Sequence, residues 1–285
     1  MAAIAIVTDT DASLPVELAA HYGIRQVPIT IHFGPEVFVT GSDLDDAAVF
    51  ARIDRAGKLP TTSAPVPGKF AEAFQAAWAD GAEAIICLCV SSEMSATYGS
   101  AVTARALFSN RNITLIDTRS LSMGQGFMAL AAAEAAQAGA SPEECVARAK
   151  DTGERTQFYA ALSTLKYMAM SGRVGSIAAG MAHLRNIKAI LTVRNGKLDL
   201  LEKTRSQTAA WARVIELTTQ ALNGQSIERM AIVHVNALNE ARHFEQQLRA
   251  ALPCPAEIII AELTPGLSVH CGTGFIGVVT VAAAA

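Results

Sequence analysis

Two short segments rich in hydroxyls carry the most suggestive chemistry in this chain. One is Pro60-Thr61-Thr62-Ser63-Ala64-Pro65, and the other is Ser91-Ser92-Glu93-Met94-Ser95-Ala96-Thr97-Tyr98. The second follows an apolar run from Ala84 to Val90 that has the pattern of a buried strand. It precedes a helical pattern through Ala101, Ala104 and Leu107. A strand that ends in hydroxyls and then opens a helix gathers free backbone N–H groups and Ser/Thr donors in one place, which suits a carboxylate or a phosphate. The same residues also suit plain helix N-caps, where Ser and Thr are favoured. Two such turns in one half of the chain favour a ligand.

Other polar residues have blander readings. Asp9-Thr10-Asp11 follows the first apolar run, and two carboxylates so spaced have the makings of a Mg²⁺ site or a nucleophile. The pair distantly resembles the opening of haloacid-dehalogenase-type phosphotransferases, but no later acidic pair completes that pattern. Capping of a helix by Asp11 or Ser13 is the simpler role. Gly272-Thr273-Gly274-Phe275-Ile276-Gly277 matches the dinucleotide fingerprint letter for letter, yet Val278 to Val281 continues as a strand where that fingerprint needs a helix. A glycine turn that brings backbone close to a ligand, or a plain hairpin, remains. The P-loop, the nucleophile elbow and zinc-ligand spacings are all missing from the sequence. Taken alone, Gly172 in Ser171-Gly172-Arg173 closes a helix, Arg173 and Arg205 are surface cations, and His270 is a strand residue before the glycine turn.

Composition narrows the field. The chain has 285 residues, enough for one large or two ordinary domains. A formal charge of -3 and a pI near 6.1 give no basic field for nucleic acid. Hydrophobic residues make up 51% and charged residues only 17%, with a mean hydropathy of +0.29. That excess needs an outlet: a membrane span, a partner surface or an internal cavity. The longest candidate span, Phe127 to Ala140, is interrupted by Glu134 and Gln137 and is shorter than the ~20 residues a bilayer needs. Asp9 and Asp11 sit where the apolar core of a signal peptide would be. The five cysteines contain no C-x-x-C, and a reduced, cytoplasmic compartment is expected. Cys87 and Cys89 alternate along a strand and so share one face.

These residues need elements to position them. Strand patterns at Ile4–Thr8, Gln26–Phe33, Ala84–Val90 and Ile113–Ile116 alternate with helical patterns at Ser13–His21, Asp43–Arg55, Lys69–Asp80, Ser95–Phe108 and a run through Ala138. Such alternation predicts a parallel sheet covered by helices, with ligands beyond the carboxyl ends of its strands. Ser141-Pro142-Glu143-Glu144 reads as a capped helix start near a boundary, with a long helix bridging two lobes. Beyond it come a helix at Leu165–Met170 and strands Lys188–Val193 and Lys197–Leu201 joined at Asn195-Gly196. A helix at Gln207–Leu222, the strand Met230–His234, a helix at Asn239–Leu252 and the strands Glu257–Glu262 and Gly277–Val281 follow. The expected fold class is α/β in two lobes, 1–155 with a parallel sheet and 156–285 mixed, with a ligand tunnel between or within them.

Taken in order, these motifs resemble the DegV family, bacterial fatty-acid-binding proteins, across nearly the whole chain. Ile6-Val7-Thr8-Asp9-Thr10 resembles the family's opening strand and acidic turn, and Thr62-Ser63-Ala64-Pro65 its T-S-Q-P turn. Ser91 through Ala101 resembles S-S-x-L-S-G-T-Y-x-S-A, the most specific block. Ile116-Asp117-Thr118 stands for I-D-S, Ser171-Gly172-Arg173 for G-G-R, and His270-Cys271-Gly272-Thr273-Gly274 for H-x-G-P-G.

The resemblance implies a protein, itself no enzyme, that holds a long-chain fatty acid such as palmitate, stearate or oleate in a buried tunnel. Such a carrier touches membranes transiently and presents the carboxylate to a separate fatty acid kinase, whose acyl phosphate feeds phospholipid synthesis. No cofactor or metal is implied. By position, Thr62 and Ser95 are implied to bond the carboxylate, with Ser63 and Ser92 next to them. Arg173, Arg205 and His270 match polar positions around the head group or the kinase-facing surface. The chain departs from the pattern at Ala64, Ala96, Ser171 and Thr273, and Ala96 adds a methyl where glycine lets backbone approach closely. A tail of about sixteen carbons offers ~0.8 kcal/mol per buried CH₂, or ~10 kcal/mol gross. Micromolar binding needs only ~8 kcal/mol net, so an apolar tunnel suffices for affinity while the carboxylate sets orientation. Two alternatives stand beside the carrier: a metal-dependent phosphotransferase using Asp9 and Asp11, and a regulatory partner protein with a pocket that holds no lipid.

Overall fold

The computed structural model describes residues 3–40, 43, 46–171 and 187–284. The first apolar run is β1 (Ile4–Asp9), and a 3-10 turn (Thr10–Ala12) leads from it toward α1 (Val16–His21). Then come β2 (Arg25–Val27), β3 (Thr30–Phe33), β4 (Glu36–Val39), α2 (Asp46–Ala56), β5 (Thr61–Ser63) and α3 (Pro67–Ala79). β6 (Ala84–Cys89), α4 (Thr97–Ala106), β7 (Asn112–Asp117), α5 (Ser122–Gln137) and α6 (Pro142–Glu154) follow. The later half begins with β8 (Thr156–Leu162) and α7 (Lys166–Ser171), then β9 (Lys188–Arg194) and β10 (Lys197–Thr204). It continues through α8 (Gln207–Leu222), β11 (Ile227–His234), α9 (Leu238–Ala251), β12 (Ile259–Glu262), α10 (Pro265–Cys271) and β13 (Ile276–Ala282).

The fold is α/β with two sheets of different character. β2-β1-β6-β7 form a parallel sheet, and β10-β9-β8-β13-β11-β12 form a mixed one in which only the β11–β12 pair is parallel. Every residue of β6 is buried, as expected of a central parallel strand covered on both faces. Cys87 and Cys89 do share a face there, their sulfurs 3.8 Å apart. Strand order reverses between β1 and β6, and such switch points leave a crevice at the carboxyl ends of the strands. Asp9 to Asp11 and Ser91 to Ser95 are the residues that leave those two ends.

Much of the apolar excess goes into α5. Its residues from Ser122 to Ala133 are all buried, because the helix packs on β1 and β6 on one side and on β8, β11 and β13 on the other. A helix apolar all round belongs between two sheets, and that is where the Phe127–Ala140 run begins. Among the described residues, no helix is long and apolar enough to cross a membrane. The largest core cluster accordingly runs from Ile6 through Phe127 to Phe158 and Val279, joining both sheets.

Several elements differ from the sequence patterns. The single strand expected over Gln26–Phe33 is broken at Pro28, which has no N–H to give to a ladder. β2 stays with the parallel sheet, whereas β3 starts a separate antiparallel sheet ordered β4-β3-β5. Thr10 and Thr40 fix the hand-over: Ile29 N–H donates to Thr10 Oγ1 at 3.0 Å, and Thr40 Oγ1 donates to the Ile29 carbonyl at 2.9 Å. β8, central in the mixed sheet, and the short α10 have no strong periodicity in the sequence. The helix start at Ser141 carries the full capping box, with Ser141 Oγ accepting from Glu144 N–H and Glu144 reaching back to Ser141 N–H. α6 packs against α5 rather than spanning the lobes as a bridge.

Candidate functional site

A cavity of about 360 Å³ lies between the two lobes, within the range typical of ligand pockets. Its apolar wall comes from both sides: Val90 and Leu121 from the parallel-sheet lobe, Phe158, Leu191 and Leu198 from β8, β9 and β10, and Leu267 from α10. Thr62, Ser95, His270 and Asp11 supply polar atoms. A second recess shares Asp11, Thr62, Met94 and Ser95 with the first and adds Ser63, Ala64 and Ala96. Thr62 and Ser95, one from each hydroxyl turn, therefore line the same cavity.

Each polar group is held by a different element. Thr62 sits on β5, opposite Ile31 of β3. Its Oγ1 lies 3.2 Å from His270 Nε2, a hydrogen bond whose direction depends on the imidazole tautomer. His270 is on α10, not on a strand as its place before the glycine turn suggests. Pro265 at the first helical position starts that helix, and Gly272 at φ +82° ends it, where a side chain would run into Tyr167. Thr264 Oγ1 donates to the Thr10 carbonyl at 2.9 Å and so seats α10 against the turn after β1.

Ser95 serves two roles at once. Its Oγ accepts from Thr97 N–H at 3.3 Å, a local turn bond just outside the helix, whose N-cap is Ala96, and lies 2.8 Å from Thr97 Oγ1 while lining the cavity. Ala96 has φ -75° and ψ 0°, a conformation open to any residue, so the methyl in place of glycine strains nothing in the backbone. It does narrow the recess that it lines.

The remaining site residues separate. Ser92 is not among the cavity-lining residues: its hydroxyl donates to Asp117 Oδ2 at 2.5 Å, because the register that sets Cys89 opposite Asp117 brings the turn back over β7. Arg205 is exposed just past the end of β10, away from the described lining. Arg173 lies outside the described residues. Ser91, which belongs to the same hydroxyl turn, is fully buried and donates to the Gly196 carbonyl at 2.6 Å, tying the β9–β10 hairpin to the first lobe. Arg119 reinforces that tie by donating to the Asn195 carbonyl.

The two acids after β1 have unlike environments. Asp9 is completely buried, and its oxygens accept from Asp11 N–H at 3.0 Å, Val90 N–H at 2.8 Å and Gln125 Nε2 at 3.1 Å. Burial raises its pKa to about 6, with those donors pulling the other way. Asp11 is raised well above the usual carboxylate range by burial and by the neighbouring Asp9 charge. Asp9 thus ties β1, the end of β6 and α5 together through three accepted hydrogen bonds. Among the described residues, no group of three or more His, Cys, Asp or Glu side chains surrounds a metal-sized space. Asp11, which the sequence offers as a helix cap or as one of two metal-binding carboxylates, lines both the main cavity and the adjoining recess.

Comparison with known proteins agrees with this architecture. A family model described as "Uncharacterised protein, DegV family" matches residues 3–283. A DegV domain-containing protein of Streptomyces coelicolor is 32% identical over 276 residues, covering 97% of each chain. A fatty-acid-binding DegV family protein from Thermus thermophilus superposes with a TM-score of 0.92 at 25% identity, covering 98% of this chain and 99% of its own. DegV of Bacillus subtilis, a fatty acid binding protein, gives a TM-score of 0.88 at 27% identity, over 99% and 100% of the two chains. With family model, sequence relative and solved structures all matching end to end, the chain belongs to the DegV family.

Proposed function

We propose that this protein binds a long-chain fatty acid such as palmitate, stearate or oleate in the inter-lobe cavity, with the carboxylate at Thr62 and Ser95. The observation that carries this reading is an apolar cavity whose polar groups converge on the two hydroxyl turns. An apolar wall supplies affinity in proportion to the methylenes it covers. A carboxylate brought into such a space needs donors, and the hydroxyls of Thr62 and Ser95, joined by Ser63 at the recess, are of the right kind. His270 holds the Thr62 hydroxyl and so orients it. The fatty-acid binding of the Thermus and Bacillus relatives supports the same ligand here.

In this reading the protein is a cytoplasmic carrier, not a catalyst. It takes the acid up in transient contact with a membrane and offers the carboxylate to a separate fatty acid kinase. His270, Arg173 and Arg205 serve the head group or the kinase-facing surface. Mass spectrometry of the purified protein, native and then after organic extraction, tests the first step. The expected result is one long-chain fatty acid per chain, released on denaturation. A protein that carries none and takes up none would leave the fold standing and overturn the carrier reading.

A further inference from the structure

Asp11 has a position that a structural cap does not need. It is 5% exposed and lines both the main cavity and the adjoining recess that Thr62 and Ser95 share. Its backbone N–H is bonded to Asp9, but its Oδ1 has no hydrogen-bond partner among the described residues. Buried polar atoms without partners are rare in folded proteins and call for an explanation. Gly266 on α10 makes room for it, since a Cβ at that position would collide with Asp11 Oδ1. The site thus holds a buried carboxyl at the edge of the space where the hydroxyls converge, its Oδ1 turned toward Gly266 of α10.

Resting on the carrier reading, we propose that Asp11 is a further ligand-binding residue: as a neutral acid it donates its proton to the carboxylate of the bound fatty acid, so that two carboxyl groups share one proton. Two ionised carboxylates cannot share an apolar site, whereas an acid–carboxylate pair is a short, charge-assisted hydrogen bond. Of the charged and titratable groups around Asp11, Asp9 favours its neutral form. Asp9 stands behind it on the same turn, His270 faces the cavity from α10, and Glu93 and Lys197 lie on the cavity's hairpin side, paired with each other at 3.2 Å. Burial and the Asp9 charge both hold the proton on Asp11. The ligand is then retained at lower pH and expelled as Asp11 ionises, and the preference for an acid over the matching alcohol falls in parallel.

The experiment measures binding of oleic acid and of oleyl alcohol, below their aggregation limits, to the wild-type protein and to Asp11→Asn between about pH 6 and about pH 9. Once Asp11 begins to ionise, affinity of the wild type for the acid is expected to fall by up to about tenfold per pH unit. Asp11→Asn keeps a donor without a charge, so its profile is expected to vary less than about threefold. Changes in the ionisation of the probe are common to both proteins and cancel in their ratio. Asp11→Thr, another neutral donor, repeats the test if the Asn variant melts early. Parallel profiles, with oleic acid affinity also unchanged in Asp11→Leu, which has no proton to donate, would overturn the role of Asp11 while leaving the carrier intact; a loss of affinity in Asp11→Leu supports it. Failure of the wild type to take up oleic acid at any pH would overturn the carrier reading and this inference with it.

Discussion

Two polar margins border the cavity, one at the β9–β10 hairpin and one at the hydroxyl turns. At the hairpin the groups are matched across the lobes: Ser91 with the Gly196 carbonyl, Arg119 with the Asn195 carbonyl, Lys197 with Glu93. At the turns, Thr62 leans on His270, Ser95 on Thr97, and Asp11 Oδ1 on nothing among the described residues. Matched groups contribute to the fold and gain little from a ligand. Incompletely matched groups leave capacity that a carboxylate can fill. On the proposed carrier reading, the contrast gives stability to the hairpin margin and recognition to the turns.

The largest effect is expected from removing both recognition hydroxyls. Thr62→Ala with Ser95→Ala deletes two bonds to a charged group, each worth roughly 1.5–3 kcal/mol, so affinity for a fatty acid should drop at least about a hundredfold. The melting temperature should hardly move, since neither hydroxyl is central to packing. Unchanged affinity in the double variant would break the comparison at its recognition side.

Next in size is the pH response of the protein without ligand, which depends on the acid beneath the turns. Asp9 titrates near 6 in the fold against an ordinary value of 3.8. Between those two values the folded state keeps a proton that the unfolded chain has released, so stability falls as pH rises through that window. The slope is at most about 1.4 kcal/mol per pH unit for one such group. Asp11 is shifted in the same direction, so Asp9→Asn should reduce the slope without abolishing it. Denaturant titrations at several pH values check this. A stability that rises with pH over the same window would contradict the placement of Asp9 as a buried acid.

How much of this was legible in the sequence depends on how local the cause was. β6 announces itself because a strand buried on both faces is apolar at every position, and α8 because Ser206 caps a regular amphipathic pattern. The Asn195-Gly196 hairpin and the Ser141 capping box likewise depend on neighbours within a few residues. β5 and α10 do not. Three and seven residues long, they are held by β3, α2 and α7, far away in sequence. The site inherits that difficulty, since residues 11, 62, 95 and 270 lie on separate elements and no spacing relates them. Family resemblance supplied Thr62, Ser95 and His270. For Asp11 the sequence offers only a helix cap or a metal-binding pair with Asp9, because its place beside the cavity depends on elements far away in sequence. Ser91 and Ser92 were indistinguishable as hydroxyls, and only the hairpin and Asp117 separate their roles.

The matched margin should respond as a piece of fold. Ser91→Ala removes a buried bond of 2.6 Å and leaves the Gly196 carbonyl short of a partner, at a cost of about 1 kcal/mol of stability. Ligand affinity should change far less than in the Thr62/Ser95 double variant. Faster ligand release with little loss of stability would show that the hairpin acts on exchange rather than on the fold, and would sharpen its role.

The smallest expected effect belongs to Lys197, and it is the sharpest test of which margin holds the carboxylate. The Lys197–Glu93 pair spans 3.2 Å, but the two side chains are 66% and 38% exposed. Exposed pairs of this kind contribute roughly 0–1 kcal/mol, so Lys197→Met should alter stability by less than about 0.5 kcal/mol. Yet Lys197 also lines the cavity and carries a positive charge, the obvious attraction for an anion. If the acid lay with its carboxylate toward the hairpin, Lys197→Met would cost affinity on the scale predicted for the hydroxyls. With the carboxylate at Thr62 and Ser95, the methionine instead extends the apolar wall, and oleate affinity stays the same or rises slightly. Calorimetric titration of oleate into this variant and into the Thr62/Ser95 double variant orders the two margins directly: the larger loss marks the end where the head group sits.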